Sequence, residues 1–350
     1  MTLTTALAIL GALVLAAVVA HGAWSARKAN PRQAEGAGDA GPRLDPTLSP
    51  HSAANASNDA ALADALAALR QPLMRKLSAR LDPLIDAIAP ITLEAPVSGE
   101  LALAHLPPSR RAGTKPFLIE GLNAETGEWE LPALMQRYGE FQAGVQMANR
   151  SGALNEIEYS EFVQKLQDFA EGVGGMVELP DMLDVVGRAR ELDAFAGGHD
   201  AQLAISLRAN GAAWSVGYIQ QMAGRRGFVA GLVPGRWVLP ATEEGAPPVL
   251  VLGFDAQAAL ADDPHISSVR EATLSLDVPQ TAEALEPFPA WHDAARTLAA
   301  DMDATMMDDQ GRPITLHAFA NIGTDLAALY RALESRDLAA GSAAARRLFS

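Results

Sequence analysis

The first pattern along the chain is an unbroken apolar run. From Leu3 to Ala20 no residue is charged, and the run continues through His21-Gly22-Ala23-Trp24 before the basic residues Arg27, Lys28 and Arg32. A helix rises ~1.5 Å per residue and a bilayer core is ~30 Å thick, so about 20 residues suffice to cross it. Residues 1–28 therefore predict a single transmembrane helix, with Leu7, Leu10, Leu13, Val14 and Val18 facing lipid, Trp24 at the headgroups, and Arg27 and Lys28 at the inner interface. The basic residues follow the run rather than precede it, which favours an uncleaved anchor over a signal peptide and leaves the bulk of the chain in the cytoplasm.

The pattern then changes. Residues 29–58 hold four prolines, many small polar residues and few large apolar ones, the composition of a disordered linker. Leu62, Leu66, Leu69, Leu73, Leu77 and Leu81 recur at three- and four-residue spacing, which predicts an amphipathic helical segment over 59–89. Its last part reads as a short helix with Asp82 as N-cap, Pro83 in the first turn and Pro90 as stop. Short extended runs follow at Ile91–Leu93, Phe117–Glu120, Glu128–Leu131 and Phe141–Met147, with a hairpin turn at Asn123–Gly127. Helices are expected over Ser160–Glu171, with Phe162, Leu166 and Phe169 on one face, and over Pro180–Ala196, with a short strand at Met176–Leu179 between them. The last third repeats that order: a strand at Ala272–Val278, a helix around Trp291–Ala300, a turn at Gln310–Pro313 and a helix over Leu316–Leu333. The pattern thus predicts two related α+β modules, 90–198 and 199–335, and a flexible tail over 336–350.

Composition narrows the chemistry. The chain has 350 residues, 27 basic and 42 acidic, for a formal net charge of −15. That balance argues against nucleic acid as a partner. There is no cysteine, which removes thiolate catalysis, Cys-based metal sites and disulfides. The seven histidines are scattered without metal-ligand spacing. Asp301-Met302-Asp303-Ala304-Thr305 spells a phosphotransfer loop but follows a predicted helix. As a calcium loop it has Met306 where glycine belongs and Arg312 where glutamate belongs. Gly224-Arg225-Arg226-Gly227 reads as a helix stop, and neither a Walker loop nor a Gly-x-Ser-x-Gly elbow occurs. No catalytic residue, metal or cofactor is expected, and the chain reads as a non-enzyme.

A resemblance enters at the junction Val19-Ala20-His21-Gly22-Ala23-Trp24-Ser25-Ala26-Arg27-Lys28, which resembles the end of the membrane anchor in the bacterial cell-division protein family ZipA. Asp200–Leu207, Gly227–Gly231, Leu274–Pro279 and Ala299–Asp309 look like successive strands and a helix end of that family's FtsZ-binding domain, and the order of anchor, linker and C-terminal domain is similar. Residues 90–198 fall outside the usual family plan. The resemblance implies a membrane-anchored α+β protein whose C-terminal antiparallel sheet carries helices on one face (RRM-like split β-α-β) and holds the carboxyl-terminal tail of FtsZ on the other. It implies a divisome adaptor at the division site of the bacterial inner membrane, with the FtsZ tail, the lipid bilayer and other divisome proteins as partners. The competing reading is a scaffold of the same architecture that binds another envelope or division partner.

Strand parity tests that face directly, because successive side chains alternate between the two sides. Leu203, Ile205 and Leu207 fall on the core side, as do Leu250, Leu252 and Phe254, Leu274, Leu276 and Val278, and Trp237 and Leu239. The opposite parity gives a candidate partner-binding face of Gln202, Ala204, Ser206, Arg236, Val238, Gly253, Asp255, Thr273 and Ser275. This departs from the apolar groove of the family. Losing one large apolar side chain forfeits on the order of 1.5 to 3 kcal/mol, at ~25 cal/mol per Å². Three readings stand: polar and backbone contacts to the tail, binding by the first module or the 59–89 segment, or a solvated sheet surface. An RNA-reading sheet would need stacking aromatics, and this face has none and only Arg236 as a base.

Overall fold

The computed structural model describes residues 81–350 except 244, 262, 264–266 and 315. The described residues divide into two compact units, one comprising 81–198 together with Arg347–Ser350, the other His199–Arg346.

The first unit opens with β1 (Asp86–Ser98) and α1 (Gly99–His105), followed by β2 (Arg111–Ala112), β3 (Lys115–Asn123), β4 (Trp129–Glu130) and β5 (Arg137–Gln146). A small hairpin of β6 (Ala148–Asn149) and β7 (Gly152–Ala153) leads to α2 (Glu156–Val173), β8 (Gly175–Val177) and α3 (Met182–Gly197). The main sheet runs β2-β3-β5-β1-β8, with β4 also paired to β3. Ala87, Ala89 and Ile91 of β1, Phe117 and Ile119 of β3, and Phe141, Ala143 and Val145 of β5 are all buried at alternate positions. They meet Phe162, Leu166 and Phe169, which recur on one face of α2. Phe117 packs edge-on to Phe162 at 5.5 Å and Phe141 to Phe169 at 5.2 Å. Each buried phenylalanine contributes roughly 1.5 to 3 kcal/mol over an exposed one.

The second unit contains β9 (Gln202–Ala209), α4 (Val216–Arg225), β10 (Val229–Ala230), β11 (Arg236–Leu239), β12 (Leu250–Phe254), the single turn α5 (Ala256–Ala259) and β13 (Glu271–Asp277). A 3₁₀ turn (Glu283–Leu285), α6 (Pro287–Met302), β14 (Ala304–Met307) and α7 (Leu316–Glu334) complete it, and α8 (Ala343–Leu348) ends the chain. Its sheet is six-stranded, in the order β10-β11-β12-β13-β9-β14, and every pairing is antiparallel. Ile205, Leu207, Leu250, Leu252, Leu274 and Leu276 form the sheet side of the core. Val216, Ile219 and Met222 of α4, Trp291, Leu298 and Met302 of α6, and Phe319, Leu326 and Tyr330 of α7 form the helix side. Trp291 and Trp214 are buried, and their indole N–H groups donate to the carbonyls of Leu274 and Met302 at 3.2 and 2.9 Å.

One connection plan serves both units. The order β3-β5-β1-β8 in the first matches β12-β13-β9-β14 in the second, with a helix after the first strand of each set and helices on both sides of the last in sequence.

Three expectations are corrected. The membrane-anchored class gives way to α+β with sheets and helices, because among the described residues no helix is long and apolar enough to cross a membrane. Even α7, with 19 residues, carries Asp325, Arg331 and Glu334. The expected anchor, the linker and residues 59–80 lie outside the described residues. The short helix expected over 82–90 is instead one turn followed by β1. Asp82 does cap, accepting from the Leu84 amide at 3.0 Å, but Ile85, Ala87, Ala89 and Ile91 then alternate with period two and pair into the sheet. The expected flexible tail is ordered: Ala343–Leu348 is helical, and Leu348 and Phe349 are buried.

Candidate peptide-binding face

The strands of the second unit bury one side of the sheet under α4, α6 and α7. Among the described residues of this unit, no helix joins the core from the other side. Pairing sets its side chains in rows across the strands. One row runs Arg236–Gly253–Thr273–Ser206–Met307, and the next runs Val229–Val238–Val251–Ser275–Ala204. At ~4.8 Å between strands, each row of five spans about 19 Å, the length of a short extended peptide.

Gly253 stands in the middle of the first row. A Cβ placed there would meet nothing closer than the Thr273 carbonyl oxygen at 3.9 Å, so the glycine leaves a trough in the face rather than serving a packing need. Arg236 is exposed at one side of the trough, and Thr273 and Ser206 are half-buried at the other. Ser206 donates its hydroxyl to Glu271 Oε1 at 2.9 Å, and Glu271 also faces Arg208 across 3.5 Å. Ser275 donates to the Val251 carbonyl at 3.3 Å. The position of Arg236 depends on Gly235, which is left-handed at φ 74° and would bring a Cβ within 2.5 Å of the Phe254 carbonyl.

The structure thus brings Gln202, Ala204, Ser206, Arg236, Val238, Gly253, Thr273 and Ser275 onto one face. Asp255 stands apart. It has left the strand and caps α5, its carboxylate accepting from the Gln257 amide at 2.8 Å. The membrane and interface set, Leu7, Leu10, Leu13, Val14, Val18, Trp24, Arg27 and Lys28, lies outside the described residues.

Sequence reasoning left out several residues of this face, among them Val251 of β12 and the Arg208–Glu271 pair, which share the parity of Ser206 and Thr273. Thr305 and Met307 of β14 extend the face beyond β9, and Val229, at 49% exposure, extends it beyond β11. Leu232, fully exposed, adds an apolar tip in the β10–β11 turn. The available signal was the alternation in Ala304-Thr305-Met306-Met307, which puts Met306 against the core and Met307 outside. The face is therefore less polar than parity alone implied: three valines, an alanine and a methionine lie among the hydroxyls and Arg236.

A cleft of about 520 Å³ adjoins one end of the face, lined by Leu203, Ala204, Trp291, Ile314 and Ile322, with Asp308 and Arg312 at its rim. It exists because β14 pairs with β9 only from Ala209 back to Ser206. The Asp308 carboxyl is held below the usual aspartate range, first by the Arg312 amide at 2.7 Å, then by the Arg312 guanidinium and the Gln310 amide. Hydroxyls, methyls, guanidinium groups and a strand edge can bind an extended chain. No family model matches the chain, and no curated protein matches it.

Proposed function

We propose that this protein is a non-catalytic division adaptor whose second unit binds the carboxyl-terminal tail of FtsZ on the outer face of its sheet. The observation that carries the reading is the six-stranded antiparallel sheet with its helices on one side and, on the other, a face that is free of helices among the described residues of the unit and centred on the Gly253 trough. The residues of that face suit an extended tail: hydroxyls and Arg236 for its backbone and carboxylates, Val229, Val238, Val251 and Met307 for its apolar side chains. Support from the sequence is the likeness of these strands to the ZipA FtsZ-binding domain.

Titration calorimetry of the full chain against a peptide of the FtsZ tail tests it. Gly253→Ile fills the trough from a strand position where an added Cβ meets nothing closer than the Thr273 carbonyl oxygen at 3.9 Å, so it leaves the melting temperature unchanged or raised while weakening binding at least tenfold. Arg236→Glu weakens binding in the same direction. Absence of binding by the wild-type chain, or full binding by Gly253→Ile, overturns the reading and leaves a scaffold for another partner as its successor.

A further inference from the structure

The core residues of β1, β3 and β5 share one parity. The opposite parity sets rows across the other side of the first sheet: Asp86–Gln146, then Ile88–Gly144–Leu118, Pro90–Gln142–Glu120 and Thr92–Glu140–Leu122. None of these residues belongs to the core that α2 closes.

The chain itself already lies on two of the rows. Arg347 is paired with Asp86, and Gln146 Nε2 donates to the Arg347 carbonyl at 2.8 Å. Leu81 lies over Gly144: a Cβ on that glycine would stand 2.5 Å from Leu81 Cδ2. The third row holds Glu120, a carboxylate that is wholly buried and accepts from Gln142 Nε2 at 3.0 Å. Ile88, Leu118 and Leu122 are half-buried about it.

Leu81 is also the last member of the series Leu62, Leu66, Leu69, Leu73, Leu77 and Leu81, so it marks the surface on which that series ends. Residues 70–80, which lie outside the described residues, carry Arg70, Arg75, Lys76 and Arg80 and no acidic side chain, in a chain of net charge −15. The face offers the opposite sign, at Glu120 and Glu140, among apolar side chains. At helical spacing Leu73, Leu77 and Leu81 fall on one side over a rise of ~12 Å, and the four strand residues from the Gly144 row to the Glu140 row span ~13 Å. Arg347 holds the row on the other side of Gly144, so the route left to the segment leads over Glu120 toward Glu140.

We infer that this face is the docking surface for residues 70–80 of the same chain, with Leu73 and Leu77 continuing the seat of Leu81 and the basic residues meeting Glu120 and Glu140. A cation brought to a buried carboxylate keeps it compensated. The two related sheets then differ in use: the first has its outer face closed by its own chain, while the trough at Gly253 is left to a partner. The inference stands on the first unit alone.

The chain has no cysteine, so an introduced thiol is the only one present. In the full chain, Leu118→Cys and Leu122→Cys are expected to react with a water-soluble maleimide about tenfold or more slowly than Glu125→Cys in the exposed hairpin turn. Leu73→Asp with Leu77→Asp should bring both rates to within about threefold of that control. A second measurement needs no disruptive variant: a nitroxide on Ala79→Cys is expected to broaden the amides of residues 118–122 and 140–144 in the ¹⁵N-labelled full chain. They should stay sharp when the nitroxide is carried by a separate unlabelled chain mixed with it. Fast modification of both cysteines in the otherwise wild-type chain, rates unmoved by the aspartates, or broadening that falls elsewhere would each overturn the inference. Broadening between chains would assign the face to a second copy and overturn it equally. None of these outcomes bears on the sheet face of the second unit.

Discussion

Lys115 is fully buried in the first unit, an unusual place for an amine. Its Nζ donates to Asn149 Oδ1 at 2.7 Å and to the Gly152 carbonyl at 2.6 Å, which fastens the β6–β7 hairpin to β3. Burial lowers its pKa below the ordinary 10.5, while the Glu158 and Asp193 carboxylates oppose that shift. The unfolded chain therefore binds a proton more readily at this site than the folded one as pH approaches 10.5 from below. Stability of the first unit should rise with pH over that window. Tyr138 acts in the opposite sense. Burial, chiefly, pushes its hydroxyl up to about 12, so the stabilisation it carries is lost as pH climbs from 10 through that value. Urea unfolding across alkaline pH should show a rising limb and then a fall. Lys115→Met should abolish the rising limb and leave the fall. A variant that keeps the rising limb would place its origin elsewhere.

At the scale of elements, α2 is fixed at its start by a capping box. Asn155 Oδ1 accepts from the amides of Ile157 and Glu158 at 3.0 Å, and Glu158 Oε2 accepts back from the Asn155 amide at 3.3 Å. Glu158 Oε1 also accepts from the Thr114 amide and hydroxyl, each at 2.8 Å, so the cap ties the helix to the β2–β3 turn. Burial pushes the Glu158 carboxyl up, yet these donors and the Lys115 charge together hold it below 4.5. Its stabilisation is present above that value and is lost as pH falls through the lower folded value. Glu158→Ala is expected to cost about 2 to 3 kcal/mol at neutral pH, and thermal melts of the variant should lose the acid-sensitive component seen in the wild type. Elements of this kind differ in how legible they are. α2 was readable because Phe162, Leu166 and Phe169 repeat at helical spacing over a long stretch. The strands of the second unit gave up their outer face because parity needs only a correct strand, not a correct fold. The start of β1 misled because Asp82-Pro83 satisfies the local chemistry of a helix start, and the alternation of Ile85, Ala87, Ala89 and Ile91 uses small residues that weigh little in a hydrophobic pattern. β10, with two residues, is too short to carry a period. Its place at the sheet edge follows from pairing with β11 alone.

For the molecule as a whole, the two units share a connection plan but differ in what lies against their strands. In the first unit the chain's own last residues occupy the neighbourhood of β1 and β5. Arg347 forms a two-pronged ion pair with Asp86, at 2.6 and 2.8 Å, across 261 positions of sequence, and the Asp86 side chain is wholly buried. Gln146 Nε2 donates to the Arg347 carbonyl at 2.8 Å, and Phe349 is 1% exposed. Nothing in the local sequence could announce this. Arg346-Arg347-Leu348-Phe349 is a plausible solvated end until Asp86 is known to be buried and in need of a cation. Removing one member of a buried ion pair leaves the other uncompensated and typically costs about 3 to 5 kcal/mol, whereas exposed pairs such as Arg296–Asp293 contribute little. Deleting Arg347–Ser350 should therefore destabilise the unit that begins some 260 residues earlier in the chain. Hydrogen exchange of the truncated chain should show protection falling in β1 and β5, around Asp86 and Gln146, with β9, β12 and β13 of the second unit unchanged. Arg347→Lys should lie between wild type and truncation, because a lysine supplies the charge without the two-pronged geometry. Exchange that rises instead in the second unit would assign the chain's end to that unit and refute this account of Asp86.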